Sequence, residues 1–395
     1  MYSLLLAIIY LAFISLGLPD SLIGSAWPVM HVELDTPVSY AGIITMIIAG
    51  CTIISSLMSE RLTKKLGAGM VTAISVFLTA AALWGFSISK RFWALCVFAV
   101  PYGLGAGGVD AALNNYVALH YKARHMSWLH CFWGVGASVS PFIMGFCLST
   151  KLGWSGGFRI VSIIQMALTA ALFLSLPIWA EAAKKDKDAV ALDENERQKP
   201  KTLIEILKIK GLPYMLIAFF AYCAVEATAM LWSSTYLVSF RHMSKELAAT
   251  LASLFFLGIT SGRLISGFIS EKLGDKRLIR IGISILLVGI ALIAIPDKYN
   301  ICSMAGLIIA GLGCAPIYPS IIHSTPYNFG KENSQAAIGV QMACAYMGST
   351  FMPPLFGVLA QYGLTGLFPL YLFVFVGLLL IMSERLNRLN AKKEK

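Results

Sequence analysis

Twelve apolar stretches, all but the sixth divided from the next by a short polar turn, dominate this chain of 395 residues. A helix needs about 20 apolar residues to cross a hydrocarbon core of ~30 Å. The stretches fall near 2–30, 37–59, 68–88, 92–118, 127–149, 158–180, 212–239, 246–270, 278–295, 299–323, 334–360 and 363–383. Apolar residues make up 57% of the chain and charged residues 13%, against about 25% charged in a soluble domain. No polar surface is large enough to wrap a water-soluble core of this size. The expected fold class is therefore an all-α membrane protein with 12 transmembrane helices. The apolar stretch at 1–18 has no basic flank and no small-residue cleavage site, so it reads as the first span and not as a signal peptide.

The formal charge of +11 raises the idea of a nucleic-acid partner, but its placement points elsewhere. Lys and Arg gather in alternate loops: 23 on one side, from Arg61, Lys64 and Lys65 to the tail after Arg385, and seven on the other. That asymmetry predicts a multi-pass protein of a cell membrane, such as a bacterial inner membrane, with both termini and the central loop cytoplasmic. The lipid bilayer is its expected surrounding and no nucleic acid is expected. The eight cysteines lie mostly within apolar runs and without metal-ligand spacing, as small thiols packed between helices do. No nucleophile elbow, phosphate-binding loop or zinc motif occurs, so neither an enzyme nor an ATP-driven pump is expected, and no cofactor or metal.

The one strongly polar stretch, 182–211, divides residues 1–181 from 212–395. Its mixed charges suit a solvated linker, with Thr202–Lys210 able to form a short amphipathic helix on the membrane surface. The flanking parts carry an internal repeat. Ser56-Leu-Met-Ser-Glu60-Arg61 runs to Lys64-Lys65, and Gly267-Phe-Ile-Ser-Glu271-Lys272 runs to Lys276-Arg277. Two six-helix bundles, 1–181 and 212–395, are expected from it.

Those two loops resemble the signature loop of the major facilitator superfamily, with Ser56 in place of its first Gly and with Glu60 and Glu271 in place of Asp. A narrower set of residues resembles the fucose-galactose-glucose:proton symporter branch. It comprises Leu129-His130-Cys-Phe132-Trp-Gly134-Val-Gly136 with Pro141, Tyr222-Cys-Ala-Val-Glu226 with Trp232 and Tyr236, Gly311 to Pro319, and Pro353-Pro354-Leu-Phe-Gly357. The resemblance implies alternating access by two six-helix bundles around a cavity lined by spans 1, 4, 5, 7, 10 and 11. It also implies proton coupling through an acid in span 1 and another in span 4, where Asp20 and Asp110 are the candidates. In span 4 the branch carries Glu, so Asp110 departs from it.

Charge at bilayer depth costs about 2.5–3.5 kcal/mol per residue on insertion scales and usually faces water or a partner. Four such residues stand out: Asp20, Asp110, Glu226 and Arg263. Asp20 follows Gly17-Leu-Pro19, which loosens a helix, in the outer half of span 1. Trp27, seven residues on, would share its face and offer a ring for a sugar to stack on. Asp110 follows four glycines that let another helix approach, and Asn114 stands on the same face at i+4. Desolvation of the Asp110 carboxylate suits a reversible proton site. His130 with Trp133 at i+3, Glu226 with Trp232 further along its helix, and the neutral Gln165 and Gln341 complete the candidate solute contacts. Each has a bland alternative, a hydrogen bond that only holds two helices together. Arg263 either neutralises an acid or braces the cytoplasmic gate. Glu60, Arg61, Glu271 and Lys272 stand at helix ends, where charge pairs latch one conformation and so control gating. His323 reads as loop-facing.

The expected function is secondary active transport of a small polar solute, a sugar or polyol, driven by a proton or alternatively by a sodium ion, with the protein acting as a monomer. Two other readings fit the sequence. One is a proton-coupled exporter of amphipathic drugs or lipids, although the glycine-rich span-5 motif of drug antiporters is missing. The other is a membrane receptor or scaffold that transports nothing.

Overall fold

The computed structural model describes residues 2–37, 40–190, 202–243, 245–296 and 301–391, without the side chains of 2, 185–190 and 245–253. These residues are almost wholly helical. Eleven helical segments are long and apolar enough to cross a membrane: Ser3–Glu33, Ala41–Leu66, Ala68–Ile88, Phe92–His120, Ala123–Leu148, Gly153–Lys184, Leu212–Ser239, Asp275–Ala294, Ile301–His323, Lys331–Gln361 and Thr365–Ala391. The helix Lys245–Leu273, 29 residues long, takes the eighth place. These are spans 1 to 12 in chain order.

The helices form two compact units. One holds Met1–Tyr116 and Leu129–Thr202; the other holds Val117–Trp128 and Leu203–Lys395. Within each, a glycine-rich helix lies against the backbones of its neighbours. A Cβ on Gly103 or Gly107 of span 4 would stand 2.3 Å from the carbonyl oxygens of Ile48 and Thr52 in span 2. In the second unit, a Cβ on Gly311 of span 10 would stand 2.2 Å from the carbonyl oxygen of Phe255 in span 8. In lipid, where apolar side chains gain little by meeting each other, close backbone approach supplies the packing. Hydroxyls add to it: Thr52 Oγ1 donates to Gly103 O at 3.1 Å and Ser55 Oγ to Leu104 O at 2.6 Å.

The repeat is real but its register differs from the sequence match. Spans 2 and 8 both end on a glycine in left-handed backbone, Gly67 (φ 80°, ψ 155°) and Gly274 (φ 73°, ψ 158°), and the next helix starts one residue later. Counting back from these glycines pairs Glu271 with Lys64 and Gly267 with Glu60, four residues away from the match of Glu60 with Glu271. The shared acids misled the comparison by one helical turn; the turn itself, which needs glycine at positive φ, fixes the register.

Span 6 also departs from expectation. After a break at Ser175 its second helix, Leu176–Val190, runs past residue 181 with Trp179 and Ala182 buried. Helix-forming Ala, Lys and Glu carry it on. The helix expected at Thr202–Lys210 is present as Leu203–Leu207, with Leu203, Ile204 and Leu207 exposed. The expected linker residues 191–201 lie outside the described residues.

Candidate functional site

Span 1 is two helices, Tyr2–Gly17 and Leu22–Glu33, and Asp20 sits in the break between them. The break follows from Pro19, which has no N–H to give to the carbonyl of Ser15 four residues earlier. Gln165 of span 6 fills that vacancy: its Nε2 donates to Ser15 O while its Oε1 accepts from Thr79 Oγ1 at 2.8 Å. The side chain is fully buried. Gln165 was a candidate solute contact by sequence, and its place is instead a patch on the broken helix. Gln165→Leu is expected to strand the Ser15 carbonyl and the Thr79 hydroxyl at a cost of about 1–3 kcal/mol, read as a lower unfolding temperature of the detergent-solubilised protein.

Span 5 crosses this break in contact with its backbone. A Cβ on Gly17 would stand 2.1 Å from Trp133 O, and one on Gly136 would stand 2.2 Å from Ile14 O. Ser21 Oγ donates to Ala137 O at 2.7 Å. The crossing brings Trp133 to Asp20: the indole Nε1 donates to Asp20 Oδ2 at 2.8 Å, and Tyr102 OH of span 4 donates to Oδ1 at 3.3 Å. Asp20 is exposed, near the middle of a 31-residue span, and no cation forms a salt bridge with it among the described residues. Both of its hydrogen-bond donors are neutral.

Trp27 has a different place. The helix break separates it from Asp20, so the seven-residue spacing no longer sets a shared face. Trp27 is buried in an apolar cluster with Phe86, Trp154 and Phe158, and its ring lies 6.3 Å from that of His31.

The Asp110 group stands on the same face of span 5, since His130 and Trp133 are one turn apart. Asn114 Nδ2 donates to Asp110 Oδ1 at 2.7 Å, and His130 Nε2 meets Asn114 Oδ1 at 3.1 Å. An amide oxygen only accepts, so that imidazole nitrogen carries the proton. Asp110, Asn114 and His130 are all buried. The first unit thus holds two polar groups joined by one face of span 5: an exposed carboxylate on aromatic donors and a buried chain of carboxylate, amide and imidazole.

In the second unit Glu226 and Arg263 form an ion pair, Nη2 to Oε1 at 3.1 Å, with side chains 14% and 5% exposed. Of the two sequence readings for Arg263, the structure takes neutralisation of an acid. Rings surround the pair: Tyr222, one turn before Glu226, donates its hydroxyl to Cys314 O at 3.1 Å, and its ring lies 6.0 Å from that of Tyr318. Trp232 Nε1 donates to Pro353 O at 2.8 Å and Gln341 accepts from Thr325 Oγ1 at 3.0 Å. Both of these bonds hold spans or helices together.

The helix-end charges divide. Glu60 is buried and bonded to Lys64 of its own helix at 2.7 Å. Arg61 and Lys272 are exposed. Glu271 meets Arg124 at 2.9 Å and Lys122 at 3.4 Å, joining span 8 to the turn between spans 4 and 5. His323 is half-buried and meets the loop between spans 4 and 5: its Nδ1 bonds Asp275 Oδ2 at 2.6 Å and its Nε2 lies 3.3 Å from Tyr121 O. Tyr102 was missed by sequence, and Tyr222 and Tyr318 entered only among the residues that carry the resemblance. Pro101 beside Tyr102 was the available signal, since a proline within a span often marks a polar site.

Comparison with known proteins agrees with this architecture. A family model described as Major Facilitator Superfamily matches residues 9–299 and 214–394. The chain is 22% identical over 253 residues to the glucose/mannose transporter GlcP of Bacillus subtilis, covering 63% of this chain and 61% of that one. It is 23% identical over 282 residues to the class H tetracycline resistance protein of Pasteurella multocida, covering 69% of each. Among solved structures, the transporter FucP in its outward conformation superposes with a TM-score of 0.76 at 14% identity, over 96% of this chain and 98% of that one. The proton:xylose symporter XylE gives 0.78 at 11% identity, over 96% and 93%. The relatives and structural neighbours are carriers of small solutes and not enzymes. With twelve helices arranged as in FucP and XylE and a family model spanning nearly its whole length, the chain belongs to the Major Facilitator Superfamily.

Proposed function

We propose that this protein is a proton-coupled carrier of a small, uncharged polar solute, a sugar or polyol, working by alternating access. The observation that carries the reading is Asp20, an exposed carboxylate at mid-span held by Trp133 and Tyr102 with no salt bridge. Such a group takes up and releases a proton without first breaking an ion pair, and its aromatic donors offer a sugar both a stacking face and hydrogen bonds. The buried chain Asp110–Asn114–His130 serves as the second polar contact and a secondary proton site. Glu226, Trp232 and Gln341 are assigned to the solute's surroundings, and Glu60, Arg61, Glu271 and Lys272 to gating.

An uncharged solute is favoured over an anion. Arg263 is the one cation deep within a described span, and Glu226 already neutralises it. GlcP and XylE, whose names give glucose, mannose and xylose, point the same way. The loop charges favour a cell-membrane protein with cytoplasmic termini; two six-helix halves joined by the central loop, the last helix of the first half running on to Val190, and a monomeric carrier complete the reading.

The test is uptake into proteoliposomes of D-glucose, D-mannose, L-fucose and D-xylose, one at a time, with and without an inward proton gradient. Gradient-dependent uptake of at least one sugar is the expected result. Uptake insensitive to the gradient in both Asp20→Asn and the parent protein would remove proton coupling. Export of tetracycline in place of any sugar uptake would favour the drug-exporter reading.

A further inference from the structure

The second unit includes the turn between spans 4 and 5, Val117–Trp128. The two helices that meet there carry Tyr102 and Asp110 on one side of the turn and His130 and Trp133 on the other. Glu271 of span 8 holds the turn through Lys122 and Arg124. His323, at the end of span 10, holds it as well: Nδ1 bonds Asp275 Oδ2 at 2.6 Å, and Nε2 meets the Tyr121 carbonyl at 3.3 Å.

This bridge has a fixed proton count. A carbonyl only accepts, so Nε2 carries a proton. The contact at Nδ1 needs a second one, shared between ring nitrogen and carboxylate oxygen, because two bare acceptors at that distance repel. A neutral imidazole beside an ionised carboxylate is one proton short. Its single N–H then serves Asp275 or Tyr121, and the shorter, charge-assisted bond to Asp275 prevails. The turn loses its donor. Side-chain exposures of 21% for His323 and 17% for Asp275 leave the pair open to proton exchange with water.

We propose that His323 and Asp275 form a regulatory proton site that holds the turn between spans 4 and 5 when loaded and releases it as the pH rises. On the orientation proposed above the site senses the cytoplasm. The rest follows if the carrier brings protons in: acid delivered inside loads the site, holds the turn and slows further import. That consequence rests on the transport reading; the proton site does not.

Neighbouring groups are accounted for. Span 7 packs on this end of span 10 and brings Tyr222 and Glu226, which bond Cys314 O and Arg263. Lys272, Lys276 and Arg277 are exposed, as is Tyr327 of the helix Thr325–Phe329. Histidine is the residue type whose charge ordinarily changes between pH 5 and 8. The rivals to His323 are therefore His120 and His125 of the turn itself, the latter with its ring 5.8 Å from that of Tyr121.

The experiment is hydrogen exchange of the purified full chain in detergent, read on peptides covering 117–128 and corrected for the chemical effect of pH. The amides of Tyr121 and His125 are bonded within the turn, so their exchange reports its opening. The parent should exchange about tenfold more slowly at about pH 5.5 than at about pH 8.5. His323→Gln should be fast at both. Asp275→Asn should be slow at both, because its amide can donate to Nδ1 and lets a neutral imidazole bridge without the extra proton. His120→Gln and His125→Gln should keep the parent response. No sugar is present, so failure here leaves the transport reading untouched. A parent without a pH response, the parent response surviving in His323→Gln or in Asp275→Asn, or its loss in either turn variant would overturn the proposal.

Discussion

Asp20→Asn is expected to abolish accumulation of sugar against its gradient while leaving exchange of sugar across the membrane. One pH unit is worth 1.36 kcal/mol, so a carrier moving one proton per solute sustains about tenfold accumulation across that gradient. Asn keeps the volume of Asp, and its oxygen can accept from Trp133 Nε1 while its NH2 donates to a turned Tyr102 hydroxyl, but it cannot carry the proton. Accumulation should fall from about tenfold to none. Counterflow of labelled sugar, which needs no net proton movement, should persist. Asp110→Asn should have the smaller effect, because its carboxylate is buried and already bonded to Asn114.

Arg263→Ala is expected to have the largest effect on stability. It removes the only salt-bridge partner of Glu226 among the described residues and leaves a carboxylate among Tyr222, Tyr318 and the backbone of span 10. Breaking a buried pair from one side costs about 3–5 kcal/mol, whereas replacing both members with apolar groups of similar size is often neutral. The single variant should unfold roughly 5–10 °C lower in detergent, and Glu226→Leu/Arg263→Met should recover most of that loss. If the double variant is as unstable as the single one, the pair is held by its surroundings and not by its charges.

Much of the architecture was legible because the bilayer imposes it. A run of about 20 apolar residues has few alternatives, and the helix ends fell within a few residues of expectation for most spans. The break in span 1 was also legible, since Gly17 and Pro19 act on their own backbone. What acts across the chain was not. Asp20 meets Tyr102 and Trp133, which lie 82 and 113 residues away, and no local pattern announces such a pairing. The choice of Trp27 rested on helical spacing through residues 18–21, where the helix is interrupted. His130 with Asn114 and Asp110 came closer, because each was conspicuous as a polar group in an apolar helix. Gln165 was conspicuous for the same reason, yet its partner is a carbonyl freed by a proline 146 residues earlier, a vacancy visible only once the helices are packed.

The most direct test of the central role given to Asp20 is the pH outside lightly buffered proteoliposomes when a transported sugar is added. The parent protein should take protons in with the sugar and make the outer medium alkaline, and Asp20→Asn should exchange the same sugar with no change in pH. A variant that still draws in protons with its solute would contradict the account.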